Sequence, residues 1–349
     1  MNTNQPELPT REQIEELFSA PATKRESIAA TVRSAATIRP PRECADSPDE
    51  QIEDHPRSEM RSTLSDDDIA AAITIFDPRY PRLLREIYAP PLVLFVRGEL
   101  PKPNQQLLAI VGARKANLRT ASLIERISKG AAERSVVIIS GLAYGIDAAA
   151  HRGALAAHDG VTVAVLGTPL DRIYPTAHRW MAEEIIAKGG ALISTYPKGS
   201  QVYPSNFLER NRIIAGMSRA ILVGQAGARS GSLATARFAL EENREVLALP
   251  GDVLDEGFAG SNRLLREGAT VVTNLEEVLS PYEGLIESPP ATPSQQLPDW
   301  VARLPKDPVN FEHFSQLVPT GSSPHEAALE LELAGVIAVL PGDQIQRLV

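Results

Sequence analysis

At 349 residues with 43% hydrophobic content, the chain is long enough to bury one sizeable α/β core and still supply a smaller domain or a tail. One cysteine, Cys44 in a polar proline-rich stretch, excludes a disulfide framework or a Cys-x-x-Cys site, and no apolar run approaches the roughly 20 residues that span a bilayer, so a soluble cytoplasmic protein with no membrane contact is expected. The net charge of −9 weighs against nucleic acid as a partner, but only until it is divided along the chain.

Residues 1–68 carry 8 basic and 15 acidic groups without sustained periodicity, and most of this stretch reads as disordered or loosely attached, with one or two short helices within 11–37. From 69 the prolines of DPRYPRLLREIYAPPLVLFVRGEL punctuate short extended pieces, an entry segment to a main sheet. Short apolar runs then alternate with helical stretches, the signature of a parallel sheet. The predicted strands are 107–112, 136–140, 162–167, 191–195, 219–224, 245–249 and 270–273, with helices over about 118–133, 145–157, 176–188, 206–217, 230–243 and 260–267. Right-handed crossovers wind such helices onto both faces, giving a Rossmann-like, doubly wound, mostly parallel sheet over 69–280 that binds at the carboxyl ends of its strands. This segment holds 24 basic and 20 acidic residues and is the basic part of the chain. A Pro/Ser/Glu-rich linker at 281–298 precedes 299–349, where a helix, a strand, a Pro-Gly turn and a second strand suggest a small winged-helix-like domain. Its acidic balance makes it a poor reader of DNA.

Four motifs fall at predicted strand ends. In VGARKA at 111–116, the glycine lets backbone amides approach a phosphate and Arg114 and Lys115 supply charge, although basic residues at a strand end are often plain solvated surface. In SGLAYGIDAAAHRGAL at 140–155, Ser140 and the amides near Gly141 and Gly145 can form an anion nest at a helix start. The turn is neither a dinucleotide fingerprint nor a phosphate loop with its lysine, so no nucleotide cofactor is implied. Asp147 and His151 share a helix face four residues apart, as a catalytic dyad or, more simply, as a cap and a structural hydrogen bond. In NFLERNRIIAG at 206–216, Phe207 can stack on a base while Arg210 and Arg212 clamp phosphate and Asn211 holds a base edge; alternatively Phe207 is core and the arginines pair with Glu209. In ARSGSLATARFAL at 228–240, Ser230, Gly231 and Ser232 can cap a helix and offer amides to an anion beside Arg229. The six histidines form no metal-ligand spacing, and no G-x-S-x-G elbow is present.

Taken in order with TVAVLGTPLDRIYP and GSNRLLREGA, these motifs resemble the DprA/Smf family over roughly 73–274. The resemblance implies a homodimeric recombination mediator that binds single-stranded DNA and helps load a RecA-type recombinase in natural transformation, without catalysis. By motif it carries DNA contact onto Arg114, Ser140, Gly141, Phe207, Arg210, Asn211 and Arg212. The chain departs from the family pattern in having Tyr144 where arginine is usual, Thr195 and Gln225 where acids are common, Glu209 where a neutral or basic residue is frequent, and Thr168-Pro169 in place of Cys-Gly. The competing readings are a nucleotide-binding or nucleotide-hydrolysing relative of the phosphoribohydrolases, whose P-G-G-x-G-T-x-x-E signature is not matched here, and a degenerate paralogue acting through protein contacts.

Overall fold

The computed structural model describes residues 10–28 apart from 22 and 26, residues 64–286, and residues 300–347 apart from 306, 320–322, 334–335, 341 and 343. The chain divides into two compact units, Met1–Glu287 and Ser288–Val349.

The first unit is built on nine strands: β1 (Ala72–Thr74), β2 (Val93–Gly98), β3 (Leu107–Val111), β4 (Val137–Ser140), β5 (Thr162–Val165), β6 (Ala191–Ser194), β7 (Ala220–Val223), β8 (Glu245–Ala248) and β9 (Thr270–Val271). Their order across the sheet is β1-β2-β6-β5-β4-β3-β7-β8-β9. The seven strands from β3 to β9 run parallel, and β2 joins antiparallel to β6 with β1 antiparallel beyond it. From β3 the chain winds outward first through β4, β5 and β6, then returns to place β7, β8 and β9 on the other side. The order reverses between β3 and β7, which makes the carboxyl ends of these strands the natural ligand edge of a Rossmann-like sheet.

Among the described residues, the helices include α1 (Arg11–Ser19), α2 (Asp66–Ala71), α3 (Arg82–Arg85), α4 (Leu118–Glu133), α5 (Ile146–Leu155), α6 (Arg179–Ala187), α7 (Pro204–Met217), α8 (Gly231–Glu241), α9 (Ala259–Arg266) and α10 (Leu275–Leu279). Strand alternation assigns them to faces. Leu108 and Ile110 of β3 pack with Ile124 and Ile127 of α4 and Ile146 and Ala149 of α5. Leu107, Ala109 and Val111 point the other way, into a cluster with Ile213 and Ile214 of α7 and Ala236 and Ala239 of α8. A strand buried on both faces needs an unbroken apolar run, which is why LLAIV reads so plainly.

Part of the acidic N-terminal region is ordered on this core. Thr10 and Gln13 form a capping box on α1, Ile14 is buried, and the Phe18 ring meets Phe95 of β2 edge-on at 5.9 Å. Ser65 and Asp68 form a second box on α2. Residues 29–63, and Cys44 with them, lie outside the described residues. At the other end Tyr282 is fully buried and donates its hydroxyl to the Leu107 carbonyl at 2.8 Å, so the core holds the chain beyond residue 280.

In the second unit, α11 (Phe311–Leu317) and α12 (Pro324–Leu333) precede the hairpin β11 (Ile337–Leu340) and β12 (Gln344–Arg347), with β10 (Val309–Asn310) pairing to β12 to complete a three-stranded antiparallel sheet. Phe314, Ile337 and Ile345 form its small core.

Candidate functional site

The switch point between β3 and β7 is filled by the chain itself. Ala113 N donates to the Gln225 carbonyl at 2.7 Å, and the Gln225 side-chain oxygen accepts from Asn117 N at 2.9 Å. A side chain at Gly112 would sit 2.6 Å from Ile146 and 2.9 Å from the Gln225 carbonyl oxygen. Gln225, buried, thus braces the loop after β3, a task for which a carboxamide serves without bringing a charge into the interior.

The open part of the ligand edge lies one step over, beyond β3, β4 and β5. Here a cleft is lined by Arg114, Gly141, Ala143, Tyr144, Tyr174, Pro175, Phe207 and Arg210. Its floor is the turn from β4 to α5. Gly141 N and Ala143 N donate to Asp147 Oδ2 at 3.1 and 3.4 Å, and His178 Nδ1 donates to the Leu142 carbonyl at 2.8 Å. Gly145, with φ +74°, leaves no room for a side chain: a Cβ there would meet the Ala113 carbonyl oxygen at 2.1 Å.

Arg210 reaches the same floor from α7. Its side chain is buried, Nη1 donates to the Val165 carbonyl at 3.0 Å, and the guanidinium lies against Gly141, where any Cβ would fall 1.5 Å from Nη1. Burial pulls the Arg210 guanidinium below its ordinary value and pushes the Asp147 carboxyl above its own; in each case the opposite charge of the other residue works against burial. The two form no direct ion pair among the described residues; they act on each other through the thin low-dielectric layer of the turn.

Three rings stand over this floor. Phe207, one helical turn before Arg210 and so on the same face of α7, packs against Gly167 and meets Tyr174 edge-on at 5.6 Å. Tyr144 stands edge-on to His178 at 4.8 Å. Tyr144 and Tyr174 are each about half exposed, 46% and 49%, and Arg114 is exposed beside them.

The other predicted residues are distributed differently. Successive residues of a helix point about 100° apart, so the run Arg210, Asn211, Arg212 cannot converge on one ligand. Asn211 donates to the Gly231 carbonyl at 3.3 Å, tying α7 to the start of α8, and Arg212 turns to the entry segment and donates to the Ala89 carbonyl. Lys115 is exposed next to Arg114 but does not line the cleft. Ser140 is fully buried and spends its hydroxyl hydrogen on the Ile110 carbonyl at 2.6 Å. Ser230 caps α8 and shares a 2.6 Å hydroxyl contact with the buried Ser232, while Arg229 and Gly231 are exposed. Asp147 and His151 do not act as a pair: the acid binds the turn amides, and His151, fully buried, bonds Thr162 Oγ1 at 2.8 Å. Glu209 accepts from the Tyr196 hydroxyl at 2.7 Å. The residues that sequence reasoning left without a role are Tyr174 and Pro175, although both stand inside the TVAVLGTPLDRIYP motif.

The protein is of the doubly wound α/β class, and its sheet edge brings a buried arginine, an exposed arginine and three rings to one cleft. The family model for DNA recombination-mediator protein A matches residues 71–283, and the chain belongs to that family. Among its relatives, Protein Smf of Escherichia coli (strain K12) is 40% identical over 76% of this chain and 75% of its own length. DNA processing protein DprA of Streptococcus pneumoniae (strain ATCC BAA-255 / R6) is 42% identical over 61% of this chain and 74% of its own. The solved structure of DNA processing protein A from Streptococcus pneumoniae superposes with a TM-score of 0.61 at 33% identity, covering 78% of this chain and 98% of that one. DNA processing protein A from Helicobacter pylori, solved for its single-stranded DNA binding mode, superposes with a TM-score of 0.53 at 27% identity over 59% of this chain and 94% of its own. Among the described residues, no helix is long and apolar enough to cross a membrane.

Proposed function

We propose that the chain binds single-stranded DNA through the cleft between Arg114 and Phe207, as a homodimer that helps load a RecA-type recombinase in DNA uptake. The observation that carries this reading is the convergence of Arg114 and Arg210 with the Tyr144, Tyr174 and Phe207 rings on one sheet edge. Guanidinium groups hold phosphate or base edges, and each base stacked on a ring adds about 1–3 kcal/mol with little regard to sequence. A duplex keeps its base faces covered and gains little from exposed rings, so the cleft favours unpaired strands. The Helicobacter pylori relative, with its single-stranded DNA binding mode, supports the assignment. Nucleotide hydrolysis is the weaker reading. Gln225 and Thr195 are buried and carry no carboxylate, and the Asp147 carboxylate is committed to backbone amides.

The test is fluorescence anisotropy with an oligothymidylate and with a duplex of equal length. Single strands are expected to bind more tightly, and Arg114→Ala to weaken them by about tenfold, roughly 1.4 kcal/mol. Equal binding of both DNA forms, or an Arg114→Ala curve that overlays the parent, would remove the cleft from the function. Sedimentation of the free protein and recombinase loading on coated single strands test the dimer and the mediator role.

A further inference from the structure

The turn from β4 to α5 is the most constrained backbone around the cleft. Leu142 is fully buried with φ +60°, a left-handed conformation that a leucine rarely adopts and that persists only where the surroundings over-determine it. The surroundings do so from three sides. Asp147 Oδ2 takes the N–H groups of Gly141 and Ala143, His178 Nδ1 holds the Leu142 carbonyl, and Ile146 N donates to the Ala113 carbonyl at 3.2 Å.

The two amides that Asp147 occupies are among those an incoming phosphate would need if the turn were an anion nest. Asp147 is 5% exposed and lies in the first turn of α5, where the helix dipole also favours a negative charge. Its hold on Gly141 fixes the surface on which the Arg210 guanidinium rests. We infer that Asp147 is a positioning residue for the cleft: its carboxylate is the resident anion of the 141–145 turn, keeping Gly141 against Arg210 and closing these amides to DNA phosphate. This rests on the reading of the cleft as the single-stranded DNA site.

The turn itself needs an acceptor at this position, while the charge of Asp147 makes a separate contribution by offsetting the buried Arg210 guanidinium. Asp147→Asn keeps a carbonyl oxygen for both N–H groups, whereas Asp147→Ala removes the acceptor. In the full chain, oligothymidylate affinity is expected to fall at least tenfold for Asp147→Ala and no more than threefold for Asp147→Asn, with Arg114→Ala as the control for the cleft. Wild-type affinity in Asp147→Ala, or an equal loss in Asp147→Asn, overturns the inference while a weakened Arg114→Ala leaves the cleft reading standing. An Arg114→Ala variant that binds as wild type overturns both.

Amide hydrogen exchange keeps the test decisive even if Asp147→Ala does not fold. Ala143 is only half-buried, so slow exchange at its N–H reports the hydrogen bond rather than burial. Protection of Ala143 in the wild type and in Asp147→Asn is expected. Rapid exchange at Ala143 in the wild type shows that the carboxylate does not hold the turn.

Discussion

Gly141→Ala is a one-methyl change aimed directly at the seat of Arg210 under the cleft. The added methyl falls 1.5 Å from Arg210 Nη1 and 2.3 Å from Cζ, so the guanidinium must leave its seat. Moving it forfeits a charged hydrogen bond to the Val165 carbonyl, about 1.5–3 kcal/mol. Forcing a methyl into a filled interior costs a further 1–3 kcal/mol or so. A loss of about 2.5–6 kcal/mol in unfolding free energy is expected, a large share of the roughly 5–15 kcal/mol by which domains are stable. Urea unfolding followed by circular dichroism measures it, and anisotropy below the variant's melting range should show oligothymidylate affinity down at least tenfold. In Gly141→Ala/Arg210→Met the second change makes room for the first, so the double variant should be less destabilised than the sum of the single ones. A Gly141→Ala protein within 1 kcal/mol of wild type that binds DNA normally would refute the placement of Arg210 under the cleft.

Two further changes separate structure from binding. Arg212→Ala removes a charged donor from the Ala89 carbonyl and should cost about 1.5–3 kcal/mol of stability while leaving oligothymidylate affinity within about twofold; weaker DNA binding with unchanged melting would return Arg212 to the site. His151 is held down to a value of about 3 by burial, with His178 and Arg210 adding to it. The unfolded chain takes up its proton near pH 6.5 and the folded chain only near pH 3, so stability should fall by up to about 1.4 kcal/mol per pH unit across that window. His151→Asn keeps a donor for Thr162 and should flatten this acid limb in urea titrations between pH 3.5 and 6; parallel limbs would show that His151 titrates normally.

The sheet was legible because its chemistry is local. A strand covered on both faces needs a short, mostly apolar run, and β3 to β8 each lie within a predicted run, as does the two-residue, exposed β9; α4 spans the predicted 118–133. The site was less legible because it is made by directions and returns of the chain. Arg210, Asn211 and Arg212 looked like one cluster in sequence, but helical geometry sends them to Val165, Gly231 and Ala89. Ser140, at the end of a strand, points inward. Tyr174 comes from an irregular loop with no period to reveal its direction, and only the fold brings it to Phe207. The amides near Gly141 and Gly145 looked open because the partner that takes those of Gly141 and Ala143 is an acid in the first turn of the following helix, a position where acids are common for reasons of helix electrostatics alone.

That last point has a measurable consequence for how DNA is held. With Arg210 offset by Asp147 and the turn amides occupied, the free cation lining the cleft among the described residues is Arg114, with Lys115 exposed next to it in sequence and able to reach a second phosphate of the same strand. For single strands the logarithm of affinity falls with the logarithm of salt at a slope of about −0.7 per phosphate neutralised, so two contacts give a slope of about −1.4. Between 50 and 200 mM salt, affinity for an oligonucleotide short enough to occupy one cleft should therefore drop only about sevenfold. A site that gripped six phosphates would lose on the order of 300-fold over the same range. Titrations across that range decide between the two. A slope steeper than about −3 would mean that other cations, with exposed Arg229 beside the start of α8 the first to examine, carry the strand in place of the rings.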